Sequence, residues 1–143
     1  MNFSEEVDGV LGRAFSVAAE AGHAEISPEH VVLELIVEDE TASYLMRCGT
    51  DLVAVESRVR DYLAGVEPGE DPEADPRPAP ALERIIEAAS ERAEEEDRDC
   101  LMLRDLFYAL IDDRESAAAV AILEATREPE VFDDLRAYPW EEE

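Results

Sequence analysis

The chain has 143 residues, 38 of them acidic, and all twelve of its basic residues are arginine, for a formal net charge of −26. That balance excludes the clustered cations that neutralise nucleic-acid phosphate or an anionic membrane surface. The missing lysine also excludes a P-loop, whose lysine reaches the β- and γ-phosphates.

Ser4 caps a first helix with Glu5 and Glu6 in its opening turn. Val7, Val10, Leu11, Ala14, Phe15 and Ala18 then recur at helical spacing until Gly22. A short connection from His23 to Glu25 leads to the stretch Ile26-Ser27-Pro28-Glu29-His30, which opens a central helix running to about Glu38. Ser27 supplies the cap, Pro28 suits the first helical position, and Glu29 sets negative charge against the positive helix end. Ile26 and Val31 can form a hydrophobic staple. His30 stands where a capping box has Glu or Gln, so that half of the motif is read as missing. Val31, Val32, Leu33, Leu35 and Ile36 make this helix apolar around most of its circumference, as in an element packed on several sides.

Thr41 caps a short third helix through Tyr44, Leu45 and Met46, ending at Gly49. Thr50 or Asp51 caps a fourth, with Leu52, Val55, Val59, Tyr62 and Leu63 as its stripe. From Gly65 to Pro80, the prolines at 68, 72, 76, 78 and 80 preclude a helix or central strand and predict an extended acidic linker. A fifth helix follows with Leu82, Ile85, Ile86, Ala89 and Ala93 inward. Leu101 to Ile111 reads as a nearly all-apolar sixth helix. Ser116 caps an Ala-rich seventh, Pro129 opens a short eighth with Val131, Phe132 and Leu135, and Trp140 lies in an acidic tail.

The second half repeats the first. Leu11, Arg13, Phe15 and Ala18 match Leu82, Arg84, Ile86 and Ala89 at an offset of 71, whereas Ile26, Val31, Leu35 and Ile36 match Leu101, Leu106, Leu110 and Ile111 at 75. The expected architecture is therefore all-α: a tandem, pseudo-twofold repeat of two four-helix units, about eight helices in one compact domain. The first repeat spans 1–64, the linker 65–80, the second repeat 81–138 and the tail 139–143.

Cys48 and Cys100 lack CxxC spacing and read as free thiols of a reducing compartment. No basic-plus-apolar leader is present and no apolar run approaches the ~20 residues of a membrane span, so a cytoplasmic protein is expected. His23, Glu25, Glu29, His30 and Glu34 offer metal-ligand chemistry, but no third strong ligand stands at suitable spacing, and His30 reads as a hydrogen-bonded core residue with His23 in a loop. Ser27 reads as a cap, with no base placed to activate it. No cofactor, metal site or catalytic residue is expected.

Phe15 to Leu63, with His23 through Ile36 as its signature and Cys48-Gly49-Thr50-Asp51-Leu52 after it, resembles the Clp N-terminal repeat domain that precedes the ATPase modules of ClpA, ClpC and ClpB unfoldases. Leu82-Glu83-Arg84-Ile85-Ile86 and Ala109 to Ala117 look like its second repeat, of the ClpA type above all. The resemblance implies an eight-helix domain that docks adaptor proteins, ClpS in ClpA-like proteins, or substrates, and hands them to an attached unfoldase. It makes Glu29 a contact position, with Arg104 standing where the second repeat often repeats the glutamate, and the expected protein-binding residues are Glu29 with its neighbours Ser27, Glu25 and His23. Without an ATPase on the chain, the expectation is a free-standing monomeric docking module whose partner is an adaptor, a substrate or a Clp ATPase. The other reading is an acidic inhibitor or immunity-type protein that blocks a basic partner by charge.

Overall fold

The computed structural model describes residues 2–71 and 73–133. Its elements run β1 (Asn2–Phe3), α1 (Glu5–Glu20), β2 (Glu25–Ile26), α2 (Pro28–Leu35), α3 (Asp39–Arg47), α4 (Leu52–Ala64), β3 (Arg77–Pro78), α5 (Pro80–Glu95), β4 (Cys100–Leu101), α6 (Leu103–Asp112) and α7 (Ala117–Glu124), followed by a 3-10 turn at Pro129–Phe132. The all-α expectation is met by seven α-helices among the described residues, with the eighth element present as the 3-10 turn. Leu135, Pro72 and the tail with Trp140 lie outside the described residues.

Through their first four elements the two repeats are related by one offset. β1 and β3, α1 and α5, and β2 and β4 each begin 75 residues apart. The residues that α1 buries, Val7, Val10, Ala14 and Ala18, coincide at that offset with Leu82, Ile85, Ala89 and Ala93 of α5. The offset of 71 read from Leu11 and Arg13 is therefore a slip of one helical turn, and no four-residue difference separates the repeats. Even the left-handed turn recurs, as Gly22 (φ 73°) in the first repeat and Asp97 (φ 59°) in the second.

The short strands tie the repeats together. β1 runs parallel to β4 and β3 parallel to β2, so each repeat's first strand pairs with the other repeat's second. The Ser4 N–H donates to the Leu101 carbonyl and the Ala79 N–H to the Ile26 carbonyl, both at 2.9 Å. The proline segment is thus anchored rather than simply extended. At its other end the Gly69 N–H reaches the Gly22 carbonyl at 2.8 Å. Gly69 passes so near Ala24 that a Cβ would lie 2.9 Å from the Ala24 Cβ, an approach only glycine permits. Between the repeats an isolated antiparallel bridge also pairs Thr50 with Thr126, their hydroxyls 2.7 Å apart.

Boundaries depart from the sequence reading where tertiary contacts decide them. α2 stops at Leu35, three residues before the expected end. Cys100 and Leu101 form β4, so α6 begins only at Leu103. α3 begins at Asp39 with Glu38 at the cap, and Thr41 is fully buried inside it. Asp51, not Thr50, caps α4 by accepting from the Ala54 N–H. The core is continuous across both repeats, with Tyr44 of the first set edge-on to Phe107 and Tyr108 of the second.

Candidate functional site

Three of the four expected binding residues meet at the head of α2. Ser27 caps the helix: its Oγ accepts from the His30 N–H at 3.4 Å. His30 completes the capping box after all, because its Nδ1 accepts from the Ser27 backbone N–H at 2.9 Å. His23 lies in the loop between α1 and β2, as expected, but it is buried there. It is 9% exposed, and its Nδ1 lies 2.9 Å from the His30 Nε2. The two rings bond to each other, and no group of three metal-ligating side chains comes together among the described residues. Burial first, and the neighbouring His23 second, push the His30 pKa down to about 4, so the ring is neutral at pH 7. Glu25, the fourth expected residue, is exposed on β2 and lines neither cleft described below.

Glu29 turns inward. It is 4% exposed, and its Oε2 accepts from the Ala118 N–H of α7 at 2.9 Å. Ser116 caps α7 by accepting from the Ala119 N–H, so the start of α7 is held by its own cap and by a carboxylate from the other repeat. Burial raises the Glu29 carboxyl pKa, the hydrogen bonds from Ala118 and its own backbone oppose that, and the Asp113 charge adds to it.

The corresponding positions in the second repeat hold different chemistry. At the offset of 75, His23 becomes Arg98, Ser27 becomes Met102, Glu29 becomes Arg104 and His30 becomes Asp105. Arg98 grips both Asp105 carboxylate oxygens at 2.7 Å, and the Met102 N–H donates to the same carboxylate at 2.9 Å. Burial alone would raise the Asp105 pKa, but the Arg98 and Met102 hydrogen bonds outweigh it and hold the carboxyl below its usual range. The same cap is built once from a histidine pair and once from an ion pair.

Two clefts flank the head of α2. One, of about 400 Å³, lies where α2, α4, α5 and α7 meet and is lined by Pro28, Glu29, Tyr62, Arg84, Asp113 and Val120 among others. Tyr62 is 49% exposed and Val120 37%. Sequence reasoning missed both, since Tyr62 read as part of the α4 core stripe and α7 as an Ala-rich helix in which nothing set Val120 apart. The other cleft, of about 450 Å³, runs between α1, α2 and α4 and is lined by Val17, His23, Leu33, Arg60, Leu63 and Val66 among others.

The profile of the Clp repeat (R) N-terminal domain matches residues 2–125. The chain belongs to this family. Solved structures repeat the fold of this Clp N-terminal domain at low identity. The Hsp104 N-terminal domain from Candida albicans aligns with a TM-score of 0.82 at 15% identity, covering 97% of this chain and 94% of that one. The N-terminal domain of the ClpV1 ATPase from enteroaggregative E. coli gives 0.76 at 20%, covering 95% and 84%. The N-terminal domain of the chaperone ClpD from Arabidopsis thaliana gives 0.61 at 17%, covering 86% and 83%. No helix of this Clp N-terminal domain, among the described residues, is long and apolar enough to cross a membrane.

Proposed function

We propose that this chain is a protein-docking domain of Clp-type ATP-dependent proteolysis, which performs no chemistry and binds adaptor or substrate proteins. It acts as the receiving end of an unfoldase or as a free-standing modulator of one. The observation that carries this reading is the groove between the repeats. There α4 of the first repeat and α7 of the second each leave a large apolar side chain, Tyr62 and Val120, open to solvent beside Pro28. A half-exposed tyrosine on rigid helices, rimmed by the charged side chains of Arg84, Asp113 and Glu115, has the anatomy of an interface anchor. Glu29 serves the site by fixing the start of α7 beside Val120, and Ser27 by holding the head of α2. A ClpS-like adaptor is the finer proposal for the partner, and a monomer for the docking-competent state.

The net charge of −26 favours the second reading, an acidic inhibitor of a basic partner. Capture of partners from the native lysate, washed at low and at high salt, separates the two. The docking reading expects a Clp ATPase, a ClpS-like adaptor or a set of short-lived proteins retained at both salts, because apolar contact survives screening. It also expects Tyr62→Ala to weaken retention roughly tenfold, the scale of losing one interface anchor. A single basic partner lost at high salt would replace this reading with the inhibitor one.

A further inference from the structure

The cleft between α1, α2 and α4 contains a hydrogen-bond donor that the fold does not need. The direction of its proton follows from the backbone. The Ser27 N–H donates to the His30 Nδ1, so the His30 proton sits on Nε2 and points at the His23 Nδ1, 2.9 Å away. His23 must then accept at Nδ1 and carry its own proton on Nε2. That N–H has no partner among the described residues, although the side chain is nine-tenths buried and lines the cleft. In the second repeat the same position is Arg98, committed to Asp105 and Glu96, so the scaffold itself does not call for an idle donor here.

Charge and size narrow what the donor would meet. In a chain of net charge −26, no acidic residue among the described ones lines this cleft, and the only permanently charged lining residue among them is Arg60. Arg60 spends its Nε on Glu56 one turn earlier, and its Nη groups have no partner among the described residues. The walls are aliphatic: Val17, Leu33, Leu63 and Val66. A volume of about 450 Å³ falls within the range of small-ligand sites, roughly 300–1,000 Å³, and accepts an end of a chain rather than a folded surface.

We propose that this cleft binds the free C-terminus of a protein chain ending in aliphatic residues, its carboxylate taken by the His23 Nε2–H and the Arg60 guanidinium. The last side chain packs on the aliphatic walls. The proposal rests on the docking reading, and it names one class of substrate end that such a domain would select.

Titration of the full chain, followed by NMR, with a hexapeptide ending in Val-Leu carboxylate, with the same peptide as its C-terminal amide, and with octanoate tests the assignment. The carboxylate peptide is expected to shift the His23 ring and Arg60 Nε signals, and the amide to bind at least roughly tenfold more weakly, the scale of a lost charge-assisted hydrogen bond. Arg60→Gln, at an exposed position, is expected to bring the carboxylate peptide down to the amide's affinity with the fold intact. Equal binding of acid and amide, full binding by Arg60→Gln, octanoate binding tighter than the peptide, or no peptide binding up to about 1 mM would each overturn the assignment. Such a failure leaves the lysate experiment untouched, because the Tyr62 groove is lined by a separate set of residues.

Discussion

His30 does the work of the glutamate or glutamine in an ordinary capping box, and it can do so only while Nδ1 is unprotonated. Its folded pKa is held down to about 4 by burial and by His23, whereas in the unfolded chain it titrates near 6.5. Between those values the unfolded state binds more protons, so stability rises with pH. The contribution is whole above about 6.5 and lost as pH falls through about 4. The full shift corresponds to something on the order of 3 kcal/mol. His30→Gln offers a carbonyl to the Ser27 N–H without a titrating ring. Urea unfolding from pH 4 to 7 should show the wild-type curve steepening relative to the variant's, and parallel curves would refute the account. In the sequence this histidine looked like a gap in the motif, because with Nδ1 given to the Ser27 N–H its other ring nitrogen needs a partner, and that partner is His23, seven residues upstream, through a bond that only the folded loop makes.

At the scale of elements, the second repeat's version of that cap is an ion pair, and it sets the entry of α6. The Asp105 side chain is 2% exposed and that of Arg98 20%. Asp105→Ala removes the acceptor for the Met102 N–H and leaves the guanidinium without its bidentate partner, a loss of about 3 kcal/mol, at the lower end for a buried pair because Arg98 can turn to water. Replacing both residues by apolar ones of similar size should recover much of that loss, and chemical unfolding of the single and double variants checks both statements. The equivalence between His30 and Asp105 was hidden by a helical ambiguity. A shift of four residues returns almost the same face of a helix, so Leu11 with Leu82 and Val7 with Leu82 are both plausible matches by pattern. Only the strands and caps, which lack that near-repeat, fix the offset at 75. The element types and the duplication were legible, whereas the cross-pairing of β1 with β4 and β2 with β3 was not, since two-residue strands carry no periodicity.

At the scale of the whole molecule, the head of α2 stood out as a candidate site because Ser27, Glu29 and His23 are close in sequence, but the direction each faces was not legible. Glu29 is claimed by Ala118, 89 residues away, and the groove beside it is completed by Tyr62 and Val120 from opposite repeats. The same long-range assembly compresses the chain's charge. Thirty-eight carboxylates and twelve arginines share one small domain, and exposed pairs such as Arg60 with Glu56 contribute little. The net repulsion favours expansion, and it is felt over a Debye length of about 30 Å at 0.01 M salt but only a few Å near 0.5 M. The melting temperature in sodium chloride should therefore rise by roughly 3 °C or more between those concentrations, about the shift that 1 kcal/mol produces in a domain of this size. The rise should level off once the Debye length is shorter than the spacing between surface charges. A melting temperature that falls with salt would mean that specific ion pairs, the Arg98 pair foremost, outweigh the general repulsion. One that climbs without levelling would assign the effect to preferential exclusion of salt from apolar surface rather than to screening.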